Sequence, residues 1–239
     1  MNIAFHSRSV AEEVMDDLNC EGEVVHQTLR ELDLINHWLG GNAVTLSALR
    51  HVWNSVPLQQ NISIADLGCG SGEMLRIIAR LAQKQNRKVA LHGFDANPHI
   101  TAYATAHSAG FQNISFHAAN VFDAAFQNKK FDIILATLFT HHFSDQQLTE
   151  LFRAWKQQAR VGVIINDIHR HPLAYYSIRW LTQLFSKSTM VQYDAPLSVL
   201  RAFKKSELKK ILEAAGITTY SLTWRWAFRW QLIIPCREI

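Results

Sequence analysis

The chain has 239 residues, 48% hydrophobic and 18% charged, a balance that excludes a disordered chain and suffices for one domain with a substantial core. Its net charge of +4, from 24 Lys+Arg against 20 Asp+Glu, is scattered; the short runs Lys204–Lys205 and Lys209–Lys210 fit a solvated helix face better than a nucleic-acid track. No apolar run reaches the ~18–20 residues of a membrane span, and the opening MNIAFHSRSVAEEVMDD turns acidic before a signal-like core can form.

Three cysteines, Cys20, Cys69 and Cys236, lie far apart with no CxxC pair. That points to a reducing cytoplasm and to neither a disulfide framework nor a zinc site. The acidic EEVMDD at residues 12–17 reads as a solvated turn. In EVVHQTLRELDLINHWL, residues 23–39, Val25, Leu29, Leu32, Ile35 and Leu39 recur at spacings of three and four. The spacing predicts an amphipathic helix stopped by Gly40–Gly41. A second short helix runs through Leu46, Leu49 and Val52, so residues 1–60 read as a helical preface.

From residue 62 strands alternate with helices. ISIADL is a strand, GEMLRIIARLAQKQ a helix and KVALHGFD the next strand. NPHITAYATAHSAG opens with Asn97 as N-cap and Pro98 in the first turn. ISFHAAN and FDIILATL are the third and fourth strands, SDQQLTELFRAWKQQA starts with Ser144 and Gln147 at capping-box spacing, and VGVIINDI is the fifth strand. Such alternation predicts a parallel α/β sheet with right-handed crossovers.

Residues 169–203 break the rhythm with the aromatic-rich helix PLAYYSIRWLTQLF and an irregular tail. The stretch far exceeds an ordinary connection of ~2–6 residues and reads as an inserted cap. SELKKILEAAG is a final helix, and ITTYSLTWRW with FRWQLIIP forms an antiparallel hairpin. Trp224, Trp226, Phe228 and Trp230 alternate there as a strand face buried on one side, with Arg225 and Arg229 between them. Stacking on nucleic-acid bases is the other use of such a run.

The stretch IADLGCGSG carries Gly68, Gly70 and Gly72 as G-x-G-x-G. Dinucleotide sites use G-x-G-x-x-G, and the third glycine's place is here taken by Glu73. There is no GK[ST], so the loop is not a P-loop either. Close approach to the backbone thus suits a ligand without a phosphate chain. Asp95 ends the second strand, 23 residues beyond Gly72, where a carboxylate can accept hydrogen bonds from both hydroxyls of a ribose.

In DLGCGSG, GFD, FHAANVFD and FDIILATLFTHHF the chain resembles the class I S-adenosylmethionine-dependent methyltransferases, over residues 62–167 and the C-terminal hairpin. The resemblance implies a Rossmann-like seven-stranded sheet with an antiparallel C-terminal hairpin. It implies that Gly68 and Gly70 meet the methionine part of the cofactor, that Asp66 supports their loop, and that Asp95, with Ala96 beside it, binds the ribose. Asn120 stands where the family often has an acidic partner for the adenine amino group, followed by Val121, and an amide oxygen can accept the same bond. Ala136 would pass beside the amino-acid end. The implied organisation is a single domain: a helical lid (1–60), a cofactor-binding core (61–167), a cap (168–203), and a final helix and hairpin (204–239).

Methyl transfer to a hydroxyl requires alignment, desolvation and removal of a proton. His141, His142 and His169 follow strands at the edge expected to hold the cofactor and are the candidate general bases, with His171 beside them. No metal is expected, since no histidine–carboxylate spacing on a regular element supports one, apart from the short His169–His171 pair with Asp167. Trp38, His171, Tyr175, Tyr176 and Trp180 are candidate acceptor contacts, the cap aromatics forming an apolar face. Arg170, Arg179 and Arg201 could steer an anionic group or be solvated.

A narrower resemblance rests on EEVMDD, LRELDLINHWLGG and INDIHRHPLAYY…RAFKKSEL, which look like bacterial methyltransferases found beside type III polyketide synthases. It implies O-methylation of a small lipophilic phenolic or quinone-like metabolite. C- or N-methylation, a non-catalytic cofactor-binding protein and an RNA methyltransferase are the rival readings. Neither nucleic acid nor membrane is an expected partner, and self-association into a homodimer stays open.

Overall fold

The computed structural model describes residues 5–236. Among these, β1 (Ile62–Leu67), β2 (Val89–Asp95), β3 (Ile114–Ala118), β4 (Phe131–Thr137), β5 (Ala159–Ile168), β6 (Ser221–Arg225) and β7 (Arg229–Pro235) form one sheet in the order β3-β2-β1-β4-β5-β7-β6. The first five strands pair in parallel, and β7 runs antiparallel to both β5 and β6. Strands β1 and β4 are apolar almost throughout because helices cover both of their faces.

On one face lie α5 (Ala124–Gln127), α6 (Asp145–Gln158) and α9 (Lys205–Ala214), where Phe126, Phe152, Trp155 and Leu212 pack against Leu67, Ile134, Val163 and Leu232. On the other lie α2 (Gly41–Trp53) and α3 (Glu73–Lys84), where Leu49, Trp53, Leu75 and Ile78 meet Ile62, Ile64, Ile133 and Ile164. The expected lid therefore divides. Helix α1 (Glu23–Trp38) packs through Val25 and Leu29 on Ile100, Tyr103 and Met190, and α2 is a layer of the sandwich.

Local signals hold in detail. Asn97 caps α4 (Pro98–His107) by accepting from His99 N at 2.8 Å. Ser144 and Gln147 make the reciprocal bonds of the capping box.

The predicted irregular tail is instead a helix. After α7 (Pro172–Phe185), α8 spans Thr189–Arg201 with Pro196 inside it. A proline in a helix interior loses a hydrogen bond and is normally disruptive. Here Met190, Val191, Leu197 and Val199 are buried, and the Asp194 carboxylate accepts the N–H groups of Val14 at 2.8 Å and Met15 at 3.1 Å. Burial on several sides also erases the one-sided periodicity by which a helix is read from sequence.

The hairpin departs from expectation in its packing. Trp230 is buried, whereas Trp224 and Trp226 are exposed. Trp224 donates its Nε1 hydrogen to His169 Nδ1 at 3.2 Å, and Trp226 and Phe228 border a cavity. The chain leaves β1 for β2 on one side and returns to β4 on the other, so the sheet's direction of travel reverses beside β1. A crevice opens there beyond the strands' C-terminal ends, the usual ligand position in such sheets.

Candidate active site

The loop after β1 owes its shape to its glycines. Gly68 has φ +65° and donates its N–H to Phe94 O at 2.8 Å. A Cβ there would stand 2.2 Å from Cδ2 of Phe139, so no other residue fits. Gly70, at φ +51°, donates to Asp95 Oδ2 at 3.3 Å and faces open space, with Leu29 Cδ2 the nearest atom to a Cβ at 3.7 Å. The N-terminal helices brace this loop. Ser71 Oγ donates to Asp33 of α1, and Asn42 of α2 donates to Glu73 Oε2 at 3.0 Å.

A cavity of about 1220 Å³ opens over the loop, more than the ~300–1,000 Å³ of a typical single-ligand pocket. Asp66, Gly68, Gly70, Asp95, Ala96, Asn120 and Val121 all line it. The Asp66 carboxyl is buried, and no described residue donates to it. Burial, with the charge of Asp95, pushes its pKa up to about 7. Asp95 Oδ1 accepts from Asn97 N at 3.0 Å, and burial raises its pKa against the pull of its backbone donors. The Asn120 amide oxygen already accepts from Phe122 N at 3.1 Å, leaving one lone pair for a ligand. Ala136 lies in the core beneath the cavity, and its successors Thr137 and Leu138 reach the surface of the site.

These residues fit S-adenosylmethionine. A buried carboxylate without a donor suits the cofactor's ammonium, the bare face of Gly70 admits close approach, and Asp95 stands at the end of β2 where a ribose would lie.

Beyond that end of the cavity stand His141 and His142, on the 3-10 turn after β4. His141 is 3% exposed, and its Nδ1 lies 2.7 Å from Asp167 Oδ1. Asp167 Oδ2 accepts from Thr140 Oγ1 at 2.5 Å and from His141 N at 3.1 Å. Burial opposes ionisation of Asp167, yet the His141 imidazole and these donors outweigh it and hold the carboxyl well below its usual range. An ionised Asp167 makes Nδ1 the protonated nitrogen of the neutral ring and leaves the Nε2 lone pair free. His142 repeats the arrangement, with Nδ1 2.6 Å from Asp16 Oδ1.

EEVMDD is no solvated turn. Glu13 is 6% exposed, its Oε1 3.6 Å from His141 Nε2 and 3.7 Å from Arg201 Nη1, and Ser198 Oγ donates to its Oε2 at 2.9 Å. Burial pushes its pKa up to about 7. Asp16 also binds Arg201, and hydrogen bonds from His142 and Arg201 overcome its burial to keep it low. The pairing crosses more than a hundred residues, so only the i, i+3 spacing of Glu13 and Asp16 hinted at it.

Several expected site residues lie elsewhere. His169 and His171 border a separate shallow depression with Phe5, His6, Lys204 and Trp230. His169 accepts from Trp224, while His171 caps α7 through Leu173 N and stacks on Phe228. Trp38, 80% exposed, and Trp180, 68% exposed, face away from the cavity, as does Tyr176, and Tyr175 packs with Ala174 and Val199. The cavity face of α7 is Ala174, Ser177, Ile178 and Leu181, the opposite stripe to the aromatic one. Arg170 is buried against Glu207, and Arg201 against Asp16, so neither is free to steer an anion. Arg229, Phe228 and Trp226 of the hairpin line the cavity instead.

Residues 58–216 match the family described as Methyltransferase domain. No curated relative matches the chain. Among solved structures, human N-acetylserotonin methyltransferase in complex with SAM is similar at a TM-score of 0.63 and 18% identity, over 95% of this chain and 59% of that one. The CurJ carbon methyltransferase gives 0.62 and 12%, over 83% of this chain and 54% of that one. The plantazolicin methyltransferase BamL, in complex with a triazolic desmethylPZN analog and SAH, gives 0.60 and 18%, over 83% and 70%. This chain thus spans little more than half the length of the first two. No helix among the described residues is long and apolar enough to cross a membrane. By sequence family and by fold, the chain belongs to the class I S-adenosylmethionine-dependent methyltransferases.

Proposed function

We propose that the protein transfers a methyl group to the oxygen of a small lipophilic phenolic or quinone-like metabolite. S-adenosylmethionine supplies an activated methyl on a sulfonium that is its own leaving group. In this reading Asp66 pairs with the cofactor's ammonium, Gly68 and Gly70 pass under its methionine part, Asp95 accepts from the ribose, and Asn120 and Val121 border the adenine. Ile178, Leu181, Leu32 and Phe228 give the acceptor's end of the cavity an apolar wall. Such a wall excludes water and favours an aromatic body over a polymeric, charged one.

The observation that carries the oxygen assignment is the Asp167–His141 pair. An imidazole locked with its Nε2 lone pair toward the cavity can take the hydroxyl proton as the oxygen attacks, and the ionised Asp167 stabilises the imidazolium that forms. Carbon or nitrogen acceptors of higher nucleophilicity need no such base.

The test is label transfer from methyl-labelled S-adenosylmethionine into fractionated host extract, with and without RNase. Label in an organic-soluble, RNase-resistant compound supports the reading, and loss of ~10²–10⁴ in rate for His141→Ala supports the base. Label in RNA overturns the acceptor class. Cofactor binding with no transfer to any fraction favours a non-catalytic role. A carbon- or nitrogen-methylated product made at an unchanged rate by His141→Ala overturns the oxygen assignment.

A further inference from the structure

The cavity holds a donor set that proton transfer alone does not use. One ligand atom from each of Glu13, His141 and His142 lies within 4.8 Å of the other two. Both imidazoles are anchored through Nδ1, His141 by Asp167 at 2.7 Å and His142 by Asp16 at 2.6 Å. Each therefore keeps a free lone pair on Nε2. A carboxylate on the far nitrogen is the usual outer partner of a metal-binding histidine, fixing tautomer and ring orientation. Glu13 is 6% exposed, and its Oε1 is buried with no hydrogen-bond partner, 3.6 Å from His141 Nε2. A buried carboxylate oxygen with no hydrogen-bond donor, and a guanidinium no nearer than 3.7 Å, is costly, and a cation between it and the imidazoles lowers the cost.

Charge points the same way. Asp167 holds His141 and Asp16 holds His142, while Glu13 and Asp194 stand near His142 and near each other. Against these carboxylates stand the guanidinium of Arg201, already bound to Asp16, and that of Arg229 near Asp167.

We propose that Glu13, His141 and His142 form a site for a divalent first-row transition cation at the acceptor end of the cavity. Two imidazoles and one carboxylate select such a metal over magnesium or calcium, which take all-oxygen sets. The proposal deepens the O-methylation reading and rests on it for its purpose. A cation and a proton compete for Nε2 of His141. In the loaded protein the cation's charge therefore takes over from the imidazole in favouring the ionised acceptor hydroxyl, whose proton leaves to bulk water.

The experiment uses chelator-stripped full-length protein and Co²⁺ as the probe, read by visible absorption and by calorimetric stoichiometry, with no acceptor or methyl transfer involved. One Co²⁺ per chain with d–d bands of nitrogen–oxygen ligation is expected, together with a rise in melting temperature. Glu13→Gln and His142→Gln should each weaken binding at least tenfold, while Glu150→Gln on the exposed face of α6 should not. Circular dichroism identifies variants that fail to fold, and the single Glu13→Gln change keeps the side-chain volume if His142→Gln does not survive. Absence of stoichiometric Co²⁺, or binding unchanged in both variants, overturns the site and leaves His141 as proton acceptor. Binding as expected without methyl transfer to any fraction sinks the O-methylation reading and spares the cation site.

Discussion

The carboxylate of Asp167 meets His141 at 2.7 Å from inside the protein, at the end of β5, while the ring's other nitrogen stands 3.6 Å from Glu13 Oε1, and His141 and Glu13 both line the cavity. Position and tautomer of the imidazole are thus set by a neighbouring strand. Asp167→Asn keeps the shape and presents an amide that favours the wrong tautomer. It is expected to lower kcat by about a hundredfold or more with little change in cofactor affinity. The double variant with His141→Ala should be no slower than His141→Ala alone, because the two side chains act as one unit. Steady-state kinetics on the identified acceptor check both statements.

Asp95 holds two backbone N–H groups, those of Gly70 and Asn97, besides facing the cavity. Asp95→Ala removes a charged acceptor worth about 1.5–3 kcal/mol per hydrogen bond. Affinity for S-adenosylhomocysteine should fall roughly ten- to a hundredfold, measured by calorimetry. An unchanged affinity would remove the ribose assignment.

Asp66 titrates at about 7 in the folded chain against 3.8 for a free carboxyl. A ligand ammonium favours the ionised form, so below pH 7 cofactor binding must expel a proton. Affinity should rise by up to about tenfold per pH unit as pH approaches 7 and level off above it. Without cofactor the sign for stability is opposite. A folded pKa raised above the unfolded one gives stability that is full below the unfolded value and lost as pH climbs through 7. Glu13 and Asp33, also near 7, act in the same direction. The melting temperature of the free protein should therefore drop between pH 5 and pH 8. Asp66→Asn should lessen that drop and flatten the pH dependence of binding.

The two stripes of α7 separate two kinds of residue. Trp180 is exposed and Ile178 lines the cavity. Trp180→Ser should leave kcat/KM within about twofold, surface changes away from a site being nearly neutral. Ile178→Trp fills the acceptor end and should raise the acceptor's KM while leaving S-adenosylhomocysteine affinity intact. The reverse outcome would return the aromatic stripe to the site.

The sheet was legible because its strands are apolar runs between glycine and capping signals, and the glycine loop over the cavity because Gly68, Gly70 and Asp95 fall one βα unit apart. The histidine end of the cavity was legible only in part. His141 and His142 follow a strand and could be placed at its edge, whereas Glu13 meets them from the far end of the chain by way of α8. That helix was hidden by Pro196 and by burial on more than one side. The α7 aromatics misled for a simpler reason. Large aromatic side chains are expected to turn inward, but the stripe facing the cavity is Ala174, Ser177, Ile178 and Leu181, and Trp180 and Tyr176 face solvent.

Residues 58–216 carry the family match, yet much of what makes them workable comes from outside. Leu49, Val52 and Trp53 cover one face of the central strands, β7 supplies the antiparallel neighbour of β5, and Glu13, Asp16 and Asp33 arrive from the first helical segments. Cut at those two positions, the chain would lose one of the two helices that cover Ile133 and Ile164 and would carry a raw edge along β5. The recognisable core and the smallest unit able to fold are different objects in this protein.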